Sequence, residues 1–270
     1  MKNVENFVVI SGSQPPYMQK KLDDITTISK NRYKDILKGH HEWVNTLDDT
    51  ILKSLIDEVR SDSSIIDKIK TNFPNSSVNA VPDIDEIYWA VSPHDAKASD
   101  RLLVDCHYDT PFSMIPTGGV IFYRVIIGCN ENNDVTTHFP AENVHVKMSR
   151  GDYHGLDFNN DYHCVTGTIP PGSFRILLKL HYIIVPKGSE SWTENTLAWN
   201  KWWAVLSRNI LNATSNPANM YDYILSYILN ILRYIYLNIN YIILCIVILL
   251  LIYGFKDTLF IKILRIKNNT

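Results

Sequence analysis

Phe174-Arg-Ile-Leu-Leu-Lys-Leu-His-Tyr-Ile-Ile-Val185 and the earlier run Val120-Ile-Phe-Tyr-Arg-Val-Ile-Ile-Gly-Cys129 decide the fold. Both are rich in β-branched and aromatic residues and are bounded by turn formers, which is the pattern of buried strands. Working outward, further short runs of this kind fall at Ile87–Val91, Leu102–His107, Val144–Met148, Tyr153–Phe158 and His163–Thr168. Turn residues separate them at Thr117-Gly118-Gly119, Asn130–Asp134, Arg150-Gly151-Asp152, Asn159-Asn160-Asp161 and Pro170-Pro171-Gly172. Strands this short and this regularly spaced predict an antiparallel sandwich or barrel rather than a parallel α/β sheet.

The flanks read differently. Residues 1–35 mix polar residues with Pro15-Pro16 and are expected to be loosely structured. From Trp43 to Ile69 apolar residues recur at helical spacing, with helix starts at Asp48-Asp49 and Ser61-Asp62 and a stop at Pro74. Residues 190–215 hold Trp192, Trp199, Trp202 and Trp203 in a helical stretch, expected to cap the barrel. Tyr234–Phe255 contains no charged residue and is long enough, as a helix, to cross a hydrocarbon core of ~30 Å. Aromatic flanks and a basic tail favour a membrane anchor over a buried helix. The expected division is a helical support over 1–85, a β core over 86–190, a Trp-rich cap over 191–220 and an anchor with basic tail over 221–270.

At 270 residues, with 46% hydrophobic and 20% charged residues, the chain has the composition of a folded domain. Its formal net charge is −2, and the cations Lys256, Lys262, Arg265 and Lys267 cluster at the end, so no broad basic face argues for nucleic acid. Cys106, Cys129, Cys164 and Cys245 show no CxxC spacing, and buried thiols in a reducing compartment are the expectation.

The residues that carry chemistry begin with His107-Tyr108-Asp109. On a strand, residues i and i+2 share a face, so His107 and Asp109 can both point into a barrel. His163, at the start of a later strand, can complete two imidazoles and one carboxylate, the ligand set of a non-haem Fe(II) centre. His154 is the competing third ligand; His138 and His145 occupy turn or edge positions. His40-His41 and His94-Asp95 lack a serine or cysteine in a nucleophile elbow. Arg175 heads an apolar strand and Arg124 lies inside another, where an unpaired charge is costly. Two arginines so embedded suggest a buried dianion, although a strand-end arginine can also lie in solvent.

The stretch from His107 to Pro186 resembles the 2-oxoglutarate- and Fe(II)-dependent oxygenases, in their aspartyl/asparaginyl β-hydroxylase-like branch. The matching residues are His107, the strand around Arg124, the segment Arg150-Gly-Asp-Tyr-His-Gly-Leu-Asp-Phe-Asn-Asn-Asp-Tyr-His163-Cys-Val, and Ser173-Phe-Arg175-Ile-Leu-Leu before Pro186. The resemblance implies iron binding by His163, contact of Arg175 with a 2-oxoglutarate carboxylate, and support from Arg124. Two positions depart from that branch. Asp109 stands where glycine is frequent, and Ile126 stands where a second co-substrate contact is histidine.

The expected fold is therefore mainly β with flanking helices, a double-stranded β-helix (jelly-roll, cupin-like) core plus a C-terminal transmembrane helix. The expected activity is hydroxylation of a C–H bond on an Asp, Asn or Pro side chain of a polypeptide, with release of succinate and CO2. His107, Asp109 and His163 would hold Fe(II), with Arg175 and Arg124 on 2-oxoglutarate. A lipid substrate is also compatible with a membrane anchor. Two alternatives stay open: a cupin-like metalloenzyme without 2-oxoglutarate, and a non-catalytic, membrane-anchored β-sandwich. With no secretory signal visible, the anchor implies a single C-terminal pass with the catalytic domain in the cytosol.

Overall fold

The computed structural model describes residues 10–36, 39–91, 106–109 and 116–215, together with positions 220, 221, 223, 224, 227, 228 and 231. The chain divides into two compact units, residues 1–208 and 209–270. In the first unit the described strands are β1 (Ile10–Ser13), β2 (His40–Trp43), β3 (Ser76–Ala80), β4 (Glu86–Val91), β5 (Ile121–Gly128), β6 (Asn132–Phe139), β7 (Val144–Met148), β8 (Asp152–Asp157), β9 (Cys164–Gly167) and β10 (Phe174–Pro186). The helices are α1 (Pro16–Tyr33), α2 (Thr50–Arg60), α3 (Ser63–Asn72) and α4 (Thr193–Ser215), the last of which runs into the second unit.

Two sheets form the core. The larger runs β1-β8-β5-β10-β4-β2, with β3 also paired to β10; the smaller runs β7-β6-β9. His107 pairs antiparallel with His163, just before β9, and so adds the 106–109 segment to the smaller sheet. The chain passes from β4 to the 106–109 segment, back to β5, across to β6 and β7, back to β8, across to β9 and back to β10. Strands supplied alternately to two facing antiparallel sheets make the expected double-stranded β-helix, or jelly roll.

The strand period of two sorts the side chains. On β10, Ile176, Leu178, Leu180 and Tyr182 join the apolar cluster under the helices, while Arg175, Leu177 and Lys179 face between the sheets. On β5, Tyr123, Val125 and Ile127 face the helices and Arg124 and Ile126 face inward. One face of the larger sheet thus serves stability and the other serves a cavity.

Residues 1–35 are more ordered than expected where they are described. β1 extends the larger sheet beside β8, and α1 buries Met18, Leu22, Ile25 and Tyr33 at helical spacing against it. Pro16 begins α1, where its missing N–H costs nothing, so the proline pair starts a helix instead of preventing one. The expected starts at Asp49 and Asp62 are the N-caps of α2 and α3: their carboxylates accept from the Leu52 and Ser64 N–H groups, each at 2.9 Å. β6 was not expected; its first residues lie in the polar stretch read as a turn. Gly167 ends β9 at φ +101, where a β-carbon would collide with the Asp134 carbonyl, so this corner of the smaller sheet requires glycine.

Among the described residues no helix is long and apolar enough to cross a membrane, and the Tyr234–Phe255 stretch lies outside them. The Leu102–His107 run is described only from Cys106, and residues 110–115 that follow it also lie outside.

Candidate active site

His107 and His163 face each other because their backbones form a reciprocal pair: the His107 N–H donates to the His163 carbonyl at 2.8 Å, and the reverse bond is 3.0 Å. The two imidazole centroids stand 4.7 Å apart. Asp109, two residues along, brings Oδ1 to 3.9 Å from His107 Nε2. Ligand atoms of His107, Asp109 and His163 lie within 4.8 Å of one another, so the three predicted residues converge.

The donor chemistry fits a metal. His163 Nδ1 donates to the Asp161 carbonyl at 3.0 Å, which fixes the tautomer and leaves Nε2 as the ligand atom. Burial lowers the His163 pKa and favours the neutral imidazole a metal requires. Burial alone would raise the Asp109 carboxyl, but Arg124, then His163 and His107, outweigh it and hold the group below the usual carboxylate range. Two imidazoles and one carboxylate are a donor set that suits Fe(II) and would leave coordination positions open. His154 is elsewhere: it is buried on β8 with Nδ1 3.1 Å from Met148 Sδ.

Arg124 clasps the Asp109 carboxylate. Its Nη1 donates to Asp109 Oδ2 at 2.8 Å, its Nε donates to His181 Nε2 at 2.9 Å, and its guanidinium carbon lies 4.4 Å from the Phe158 ring centre. His181 is fixed in turn by Asp85, which accepts from the His181 backbone N–H at 2.7 Å and from Arg60 Nη1 at 2.7 Å. Expected beside Arg175 as a co-substrate contact, Arg124 lines the same cavity but gives one arm to Asp109. Helix α4 also reaches the site: Trp203 Nε1 donates to the Asp109 carbonyl at 3.0 Å.

His107, Asp109 and His163 open on a cavity of about 100 Å³ between the sheets, lined also by Arg175, Lys179 and His41. Arg175 is buried and, among the described residues, forms no ion pair; its Nε has no hydrogen-bond partner. Burial lowers its pKa, because a guanidinium without a counter-ion is unfavourable away from water. Lys179 was not singled out from the sequence, and His41 was weighed only as part of a His40-His41 hydrolytic pair. Lys179 shares the inward parity of Arg175 and was readable as a charge inside an apolar strand. His41 had no local signal, because β2 reaches the site only by pairing with β4. Burial pushes the Lys179 ammonium down to about 7, with Glu86 acting in the opposite direction.

The expectation of free thiols is corrected at Cys106 and Cys164, which form a disulfide. The His107–His163 pairing sets these two cysteines, one position out on each strand, side by side across the smaller sheet. Spacing along the chain could not reveal a pair separated by 58 residues. Cys129 is free and buried. Reduced cysteines therefore give no argument for a cytosolic location.

No protein-family model and no curated protein sequence matches the chain. Among solved structures it is similar to AviO1 from Streptomyces viridochromogenes Tue57, at 13% identity over 67% of this chain and 90% of that one, with a TM-score of 0.46. It is also similar to the viral collagen prolyl hydroxylase vCPH from Paramecium bursaria Chlorella virus-1 in its 2OG complex, at 10% identity over 67% and 98%, TM-score 0.44. A third is a Pseudomonas putida prolyl-4-hydroxylase, at 12% identity over 68% and 96%, TM-score 0.41.

Proposed function

We propose that the protein is an Fe(II)- and 2-oxoglutarate-dependent oxygenase that hydroxylates a C–H bond. One observation carries the reading: an unpaired, buried Arg175 faces the same cavity as the convergent His107, Asp109 and His163. A metalloenzyme with neither an acidic co-substrate nor an acidic substrate has no use for that guanidinium, and a binding sandwich has no use for the triad. His107, Asp109 and His163 would hold iron, and Arg175 would pair with the far carboxylate of 2-oxoglutarate through charge-assisted bonds. Bound iron supplies the redox chemistry, in which one atom of O2 enters the substrate and the other enters succinate as CO2 leaves. The chain's own residues orient the ligands: Arg124 fixes the Asp109 carboxylate, and the Asp161 carbonyl fixes the His163 ring.

A polypeptide Asp, Asn or Pro side chain is the substrate suggested by the motif order from His107 to Pro186, with Asp109 and Ile126 as the departures from that branch. Under anaerobic conditions, Fe(II) and 2-oxoglutarate together are expected to give a weak visible charge-transfer band, and admission of O2 should then release succinate. A protein that gives neither band nor succinate is not this enzyme. A single-pass anchor over Tyr234–Phe255, with the catalytic unit on the cytosolic side, is a separate proposal supported by the uncharged stretch. In membranes with the cytosolic face outward, a tag after Thr270 should resist protease; a digested tag places the tail on the other side.

A further inference from the structure

Lys179 and His41 remain once the metal ligands and Arg175 have been given their tasks. Both line the cavity. Lys179 lies four residues beyond Arg175 on the same face of β10, so their α-carbons are ~13 Å apart. Among the described residues Lys179 forms no hydrogen bond or ion pair; its Nζ lies 5.6 Å from the Tyr88 ring centroid, with Glu86, Arg124, Arg208 and Asp109 acting on it at longer range. Glu86, its register partner on β4, is already matched by Arg208 Nη2, and by His41 Nδ1 at 2.9 Å.

The His41 contact fixes a tautomer. A carboxylate only accepts, so His41 Nδ1 carries the proton that goes to Glu86, and the neutral ring presents Nε2 as an acceptor. That Nε2 is buried and has no partner, and the side chain is only 9% exposed. One end of the cavity thus offers a cation seeking an anion beside an acceptor seeking a donor. Leaving both unanswered where they are buried is unfavourable.

We propose that Lys179 and His41 form a substrate subsite separate from Arg175, taking a carboxylate on Lys179 and a neighbouring N–H on His41 Nε2. The primary substrate would then be an N-acylated amino acid or a peptide acid, not a neutral or lipid molecule. The proposal rests on the oxygenase reading, which assigns 2-oxoglutarate to Arg175. It requires that the two cations of β10 serve different ligands.

The test is anaerobic calorimetry on protein loaded with Fe(II) and saturated with 2-oxoglutarate, using N-acetylglycine and its amide, N-acetylglycinamide, as probes. The acid is expected to bind and the amide to bind about 10- to 100-fold more weakly, the range for loss of a charge-assisted hydrogen bond. Lys179→Met should remove this preference while leaving 2-oxoglutarate affinity nearly unchanged. Arg175→Met should instead lower 2-oxoglutarate affinity about 10- to 100-fold. Equal binding of acid and amide, failure of the acid to bind, or a 2-oxoglutarate loss in Lys179→Met as large as in Arg175→Met would overturn the subsite. If wild-type protein binds no 2-oxoglutarate, the Arg175 assignment fails on its own. The acid-against-amide comparison, made on metal-loaded wild type and Lys179→Met side by side, then still reads Lys179.

Discussion

Asp109→Ala is expected to cost the protein both its metal and about 3 kcal/mol of stability, the lower end of what breaking a buried ion pair does. The two losses have different origins. Metal affinity falls because one of three ligands is gone, whereas stability falls because Arg124 is left buried without the carboxylate at 2.8 Å. The remaining Arg124 contacts, His181 at 2.9 Å and Glu86 at 3.9 Å, keep the cost from rising further. Urea unfolding of metal-free protein separates the effects, since bound metal adds its own stabilisation. Asp109→Asn keeps an acceptor oxygen for Arg124 and should recover part of the stability but little of the metal affinity.

The pH dependence has a definite sign. Asp109 is lowered in the folded state, so its contribution is present above the unfolded value of about 3.9 and is lost as pH falls below it. The gap between wild type and Asp109→Ala should stay level from neutral pH down to about 5 and narrow below about 4. A metal-free Asp109→Ala protein as stable as wild type would mean that the Arg124 clasp contributes nothing.

The second large effect concerns Cys106 and Cys164. Replacing both by serine opens a loop whose ends are 58 residues apart. Chain-entropy arguments put the loss at roughly 4 kcal/mol for a loop of this size. Each cysteine is the immediate neighbour of a metal-site histidine, so metal affinity should fall together with stability. Reduction of the wild-type protein by an external dithiol, which becomes the disulfide as the two thiols form, should reproduce both effects. Thiol counting on unfolded, unreduced protein gives the check: if Cys106 and Cys164 react as free thiols, or if reduction changes neither unfolding midpoint nor metal affinity, the staple is not there.

What could be read from the chain follows from how local each feature is. The same-face placement of His107 and Asp109 needs only the strand period, and the inward face of Arg175 needs only the apolar run around it. The caps at Asp49 and Asp62 are equally local. Features set by register between distant strands were hidden: the Cys106–Cys164 pair, the partner of Arg124, and the arrival of His41 beside Glu86. α1 was hidden for another reason. Its low apolar content over Pro16–Tyr33 masks a single buried row of Met18, Leu22, Ile25 and Tyr33. β6 was obscured because its polar first residues read as a turn.

β10 has a consequence for how the chain tolerates changes in length. Its thirteen residues pair with β4, β5 and β3 at once while alternating between the helical core and the cavity. Inserting or deleting one residue within it would turn Arg175, Lys179 and His181 into the core and bring Ile176, Leu178 and Leu180 into the cavity. The turn before it, around Pro170-Pro171-Gly172, carries no such parity and can absorb extra residues. Length variation among versions of this chain should therefore gather in that turn and be absent from the strand that follows.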